Sequence, residues 1–127
     1  MKKIGSSYFI DSSAWLSYLY GESERPKEIV ESGAVLFTSV LSLFEIKRKL
    51  LSEGHTEEEI LGTLKFIKER SIVRDLKEEQ AEKAGEISFE EKLHAIDALI
   101  YTSALDVDAT LISCDTDFQG LRNVEMI

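Results

Sequence analysis

Short apolar runs alternate with longer stretches of helical periodicity, so the chain reads as strands alternating with helices. Tyr8-Phe9-Ile10 favours a buried strand that runs straight into Asp11. Ser13 to Tyr20 follows as a helix, with Trp15, Leu16 and Leu19 on one face and Gly21 as its stop. Pro26 suits the first turn of a second helix, Arg25 to Ser32, closed by Gly33. Val35-Leu36-Phe37-Thr38 is the second strand. Ser39 and Ser42 offer capping oxygens for a helix from Val40 to Leu51, which Gly54 ends. Thr56 and Glu59 form a capping box for a helix that reaches Arg70.

The remaining pattern continues the alternation. Ser71-Ile72-Val73-Arg74 is a weaker strand, Lys77 to Ile87 a charged and mostly exposed helix, and Ser88 to Lys92 a polar connection. His94 to Leu105 is apolar nearly all round, which predicts a helix buried on most sides. Thr110-Leu111-Ile112-Ser113 and Asn123 to Ile127 complete the set as strands. The order β-α-α-β-α-α-β-α-α-β-β predicts a mainly parallel sheet with helices on both faces.

Composition narrows the class. A chain of 127 residues with 43% hydrophobic and 31% charged residues suits one compact domain over 1–127. The single cysteine, Cys114, excludes an internal disulfide and a Cys-cluster zinc site, and it suits a reducing cytoplasm. Met1-Lys2-Lys3-Ile4 is not followed by the apolar run of a signal peptide, and no stretch approaches a membrane span. A net charge of −9 argues against a generic nucleic-acid binder, though not against a nuclease that gathers carboxylates around a cation.

Most of the acids in so acidic a chain must be solvated, so the informative ones sit where burial is expensive. Asp97 is the only charged residue between His94 and Leu105. Unpaired and buried, it would cost several kcal/mol or take a proton. It either caps its helix or faces a cation. Asp11 ends an apolar strand and reads equally as a helix N-cap or a site residue. Asp115, with Asp117 two residues on, repeats that situation and also suits an Asp-rich turn. Glu45 interrupts an apolar helix start and reads alternatively as an exposed partner of Arg48 or Lys49.

Together the four read differently. Asp11 and Asp115 end strands, whereas Glu45 and Asp97 are expected in the first turns of helices that follow strands. In a parallel sheet these positions share one edge. Acids brought together there oppose joint ionisation and call for a hard divalent cation, Mg²⁺ or Mn²⁺. Such a site suits attack of water on a phosphodiester.

The segments Tyr-Phe-Ile-Asp11-Ser-Ser-Ala-Trp, Ser-Leu-Phe-Glu45-Ile, Ala-Ile-Asp97-Ala-Leu-Ile-Tyr and Leu-Ile-Ser-Cys-Asp115-Thr-Asp117-Phe resemble the PIN domain, and within it the small VapC-type toxins of toxin–antitoxin pairs. The resemblance covers essentially the whole chain. It implies a five-stranded parallel sheet in a three-layer α/β/α sandwich. It also implies Mg²⁺- or Mn²⁺-dependent cleavage of single-stranded RNA that leaves a 5′-phosphate. Asp11, Glu45, Asp97 and Asp115 map onto the family's acidic quartet, Asp117 onto an occasional fifth member, and Ser13 and Ser113 onto supporting hydroxyls. An antitoxin and a homodimer are the partners it implies.

Lys47, Arg48, Lys49 and Arg122 neighbour the site in sequence and are the candidate RNA contacts. His94 reads as a capping or packing residue, or else as a proton shuttle or RNA contact, and Trp15 as core or as an interface anchor. An inactive interaction module of the same fold is the alternative function. A phosphohydrolase or receiver-type domain is a remote one, because no early Asp pair and no strand-end lysine after Asp97 is present.

Overall fold

The computed structural model describes residues 6–127, so the Met1-Lys2-Lys3-Ile4 start lies outside the described residues. Five strands, β1 (Ser7–Ile10), β2 (Val35–Ser39), β3 (Ile72–Arg74), β4 (Thr110–Ser113) and β5 (Val124–Met126), form one sheet in the order β3-β2-β1-β4-β5. All neighbouring pairs are parallel. The register sets Tyr8 opposite Leu36 on one side and Thr110 on the other, so β1 is the central strand. Successive strands first step outward through β2 and β3, and then the chain returns to the far side of β1. That reversal puts a topological switch point at the C-terminal ends of β1 and β4, the crevice where open α/β sheets bind ligands.

Helices α1 (Ser12–Tyr20), α2 (Glu24–Val30), α3 (Val40–Ser52), α4 (Glu57–Arg70), α5 (Glu78–Glu91) and α6 (Ala95–Asp106) make the outer layers. Strand side chains alternate between faces, and the two cores divide accordingly. Ile10 and Ile112 pack with Trp15, Ile29, Ile46 and Ile67 from α1 to α4. Phe9 and Leu111 pack with Ala84 of α5 and with Ala98, Ile100 and Tyr101 of α6. The result is the three-layer α/β/α sandwich with a five-stranded parallel sheet. Trp15 belongs to the core: it is fully buried, and its indole N–H donates to Thr38 Oγ1 at 3.0 Å. Burying a large apolar side chain of this kind contributes roughly 1.5–3 kcal/mol.

Local chemistry explains most boundaries. Gly21 ends α1 at φ 66°, a left-handed conformation that costs glycine little. Thr56 and Glu59 form the expected reciprocal cap, with Glu59 N to Thr56 Oγ1 at 3.1 Å and Thr56 N to Glu59 Oε1 at 2.8 Å. Of the two serines expected to cap α3, only Ser39 does so, accepting from Leu41 N at 3.0 Å. Ser42 is instead inside the helix, buried, with a hydroxyl that has no partner among the described residues.

Two elements differ from the sequence pattern. Helix α5 continues through Ser88-Phe89-Glu90-Glu91, because no breaker interrupts it before Lys92 takes a left-handed φ of 56°. Buried Leu93 then anchors the exit, its carbonyl accepting from Ser88 Oγ. A short 3-10 helix (Thr116–Phe118) also follows β4, started by Asp115 and pinned by buried Phe118.

Candidate active site

The site is built at the switch point, outward from Asp11. Its backbone N–H donates to Ile112 O at 3.1 Å, so the sheet itself holds the residue. Its side chain is 4% exposed. Oδ1 accepts from Ser12 N at 2.8 Å, and Oδ2 accepts from Ser13 Oγ at 2.9 Å and Ser113 Oγ at 2.7 Å. Burial pushes the carboxyl above its ordinary range, the three hydrogen bonds pull it back, and the neighbouring Asp115 charge adds to the rise. The cap and the site residue are thus one and the same: Asp11 is the N-cap of α1.

The hydroxyls knit this corner together. Ser13 Oγ accepts from Cys114 N at 3.0 Å and lies 3.2 Å from Ser113 Oγ. Ser113 Oγ in turn accepts from Asp115 N at 2.9 Å. Asp115 Oδ1 accepts from Asp117 N at 2.9 Å, which forms the 3-10 turn and brings both acids forward.

Asp97 arrives from the other side, on the first turn of α6. It accepts no hydrogen bond among the described residues, and its carboxyl is pushed up to about 6, by burial first and then by the charges of Asp115, Asp11, Asp117 and Glu45. Oxygens of Asp97, Asp115 and Asp117 lie within 4.8 Å of one another. Asp11 and Glu45 are within electrostatic reach but outside that close trio. Glu45 is not in the first turn of α3 as its sequence position suggested; it is one turn further along. Ser12 Oγ donates to its Oε1 at 2.9 Å, and burial, followed by the charges of Asp11 and Asp115, raises its carboxyl.

The helix-pair reading of Glu45 does not hold. Lys49 reaches Glu53 at 3.8 Å, and Arg48 has no ion pair among the described residues. Lys47, Arg48 and Lys49 are exposed, and Arg122 is exposed on the loop before β5, its carbonyl accepting from Tyr101 Oη at 2.8 Å. His94 caps α6 through its backbone alone. Burial raises the half-buried Cys114 thiol, which speaks against a reactive thiolate. Ser12 is the neighbour that sequence reasoning missed. Its position after Asp11 signals a helix start, and nothing in it announces a partner 33 residues away.

Among the described residues no lysine, arginine or histidine forms an ion pair with any of these acids. Carboxylates with unopposed charge and oxygen-only donors fit a hard divalent cation.

The family model for the PIN domain matches residues 8–123. This chain belongs to the PIN domain family. Solved structures share its fold. VapBC2 from Rickettsia felis, bound to a DNA fragment from its promoter, is 17% identical with a TM-score of 0.75, over 95% of this chain and 97% of that one. A toxin–antitoxin complex from Klebsiella pneumoniae is 18% identical with a TM-score of 0.74, over 94% and 96%. VapC20 of Mycobacterium tuberculosis, a sarcin-ricin loop cleaving toxin, is 17% identical with a TM-score of 0.72, over 91% and 95%. No curated protein matches the chain. Among the described residues of this PIN domain, no helix is long and apolar enough to cross a membrane.

Proposed function

We propose that this PIN domain is an Mg²⁺- or Mn²⁺-dependent endoribonuclease that hydrolyses single-stranded RNA, and that it is the toxin of a toxin–antitoxin pair. The supporting observation is the five-acid cluster at the switch point, where burial first and then mutual repulsion drive Asp97 up to about 6. Asp97, Asp115 and Asp117 would hold the cation, with Asp11 and Glu45 completing its surroundings. When bound, such a cation acidifies water and offsets phosphate charge.

The chain's own residues do the rest. Ser13, Ser113 and the Ser12 N–H fix the Asp11 carboxyl in place and oppose the rise that burial causes. Ser12 holds Glu45 by one oxygen, which leaves Oε2 to take the proton of the attacking water. The new bond runs from that water to phosphorus, the bond to the 3′ oxygen breaks, that oxygen takes a proton from solvent, and the products are a 5′-phosphate and a 3′-hydroxyl. Ser13 and Ser113 are positioning residues, and Lys47, Arg48, Lys49 and Arg122 are the RNA contacts.

Structural relatives that are toxin–antitoxin complexes support an antitoxin as partner. We also assign the chain to one domain, a homodimer and the cytoplasm, where RNA is encountered. The test is cleavage of single-stranded RNA by chelator-stripped protein with Mg²⁺ or Mn²⁺ restored, and its loss in Asp97→Asn. Wild-type protein that is folded and inert with both metals would replace this reading by that of an inactive interaction module.

A further inference from the structure

A cleft of about 370 Å³ opens beside the carboxylate cluster, lined by Phe44, Glu45, Arg48, Lys49, Ser52 and Ile96. Glu45 belongs to both: one edge of the cleft is the edge of the acidic site. Ile96 precedes Asp97 on α6, so the opposite wall also leads to the cluster. Phe44 is 61% exposed, although it sits beside core residues on α3 and nothing among the described residues packs a ring against it. Phe44 and the Arg48 guanidinium, which has no ion pair among the described residues, lie one helical turn apart and line the same cleft. Lys47, Arg48 and Lys49 are consecutive cations in a chain of net charge −9, and Arg48 and Lys49 line this cleft beside the acidic cluster, which would otherwise repel a polyanion.

We propose that this cleft is a single-nucleotide subsite, in which one base of single-stranded RNA stacks on the Phe44 ring while Arg48 and Lys49 hold the adjoining phosphate. This rests on the reading of the neighbouring cluster as the place of RNA cleavage, and it adds how the strand is held there. Stacking on an aromatic plane with cations along the backbone is the way proteins grip unpaired nucleic acid. A duplex cannot offer a free base face to Phe44, so the subsite selects single strands. Every base has such a face, so it selects little among sequences.

Binding is measured by anisotropy with fluorescein-labelled hexauridylate and Mg²⁺, in the Asp97→Asn chain to prevent cleavage. Phe44→Ala is expected to weaken binding about tenfold, and Phe44→Tyr to keep it, as one lost base stack implies. Arg48→Ala is expected to weaken binding and flatten its salt dependence. An abasic gap moved along the oligomer should cost the Phe44 chain a similar factor at one position and cost the Phe44→Ala chain nothing there. That comparison is made within a single protein, so it does not depend on how well the variant folds.

Equal affinity of the Phe44 chain for intact and abasic oligomers at every position overturns the proposal. RNA-binding that ignores Phe44→Ala, while capture of the protein encoded beside the gene is lost, also overturns it and assigns the cleft to a protein partner. If wild-type protein binds the oligomer through Phe44 and cleaves nothing with either metal, the nuclease reading falls and the subsite stands. If it cleaves with a KM indifferent to Phe44→Ala, the subsite falls and the nuclease reading stands.

Discussion

Ser12 Oγ donates to Glu45 Oε1 at 2.9 Å, tying the first turn of α1 to the second turn of α3. It is the only hydrogen bond on the Glu45 side chain among the described residues. Ser12→Ala leaves that carboxylate among other acids with nothing to orient it. We expect kcat for RNA cleavage to fall about tenfold while stability changes by about 1 kcal/mol or less, because the glutamate can turn to water. Single-turnover cleavage and urea denaturation of the same preparations separate the two effects. A purely structural serine would move the second and leave the first.

Ser113 has the opposite balance. It is fully buried, donates to Asp11 Oδ2 at 2.7 Å and accepts from Asp115 N at 2.9 Å. Ser113→Ala removes one of the two hydroxyls on Asp11 Oδ2, leaving it Ser13 alone, and takes the acceptor from the Asp115 N–H, and we expect a loss of about 1–3 kcal/mol in urea denaturation. Ser42→Ala in α3 should do the reverse: its buried hydroxyl has no partner among the described residues, so removal is neutral or stabilising by about 0.5–1 kcal/mol. A destabilised Ser42→Ala chain would show that the hydroxyl is satisfied in solution.

Much of this was legible in the chain, and the misses share a cause. Asp11 and Asp97 stand out because each is a charge set in apolar sequence, where burial is costly, and the strand–helix alternation follows from the same apolar pattern. Glu45 was placed a turn too early although the helix start at Val40 is legible, because its place beside the site depends on how α3 packs and not on its distance from the cap. The end of α5 was drawn short for a related reason: Ser88 to Glu91 is polar enough for a loop, and the signal that keeps it helical is the burial of Leu93 beyond it. The Ser12–Glu45 bond has no local trace, since it is created by the sheet order.

Proton linkage offers a direct reading of the cluster. The Asp97 carboxyl rises in the folded chain from 3.8 to about 6, so the native state holds a proton that the unfolded state has released. Its contribution to stability is therefore present below about pH 4 and is lost as pH rises through about 6. In chelator-treated protein, Asp97→Asn should be more stable than wild type at pH 7.5 and level with it near pH 4. The difference should be about 1 kcal/mol once solvent screening is allowed for. Asp11 and Glu45 shift in the same direction. Denaturant midpoints across pH 4–8 check this, and a difference that is constant with pH would dismiss the linkage.

A divalent cation should cancel that penalty. With Mn²⁺ at about a hundred times its dissociation constant, mass action adds about 2.7 kcal/mol, or on the order of 5–10 °C in melting temperature. Asp97→Asn and Asp115→Asn should each lose most of this gain, and Asp75→Asn, which lies outside the cluster, should keep it. Calorimetric scans with and without chelator make the comparison. Equal Mn²⁺ shifts in all of them would move the cation elsewhere.

The central place of β1 has a further consequence during biosynthesis. Asp11 leaves the ribosome early, but the Ser113 hydroxyl that secures it is made 102 residues later, and β1 has one of its two neighbours only when β4 exists. A partly translated chain therefore carries a strand with an open edge and an aspartate in water, however well its first helices have formed. The pocket cannot be assembled piecemeal. A ribosome making this protein would carry no working copy of it until the fourth strand has slotted in beside the first.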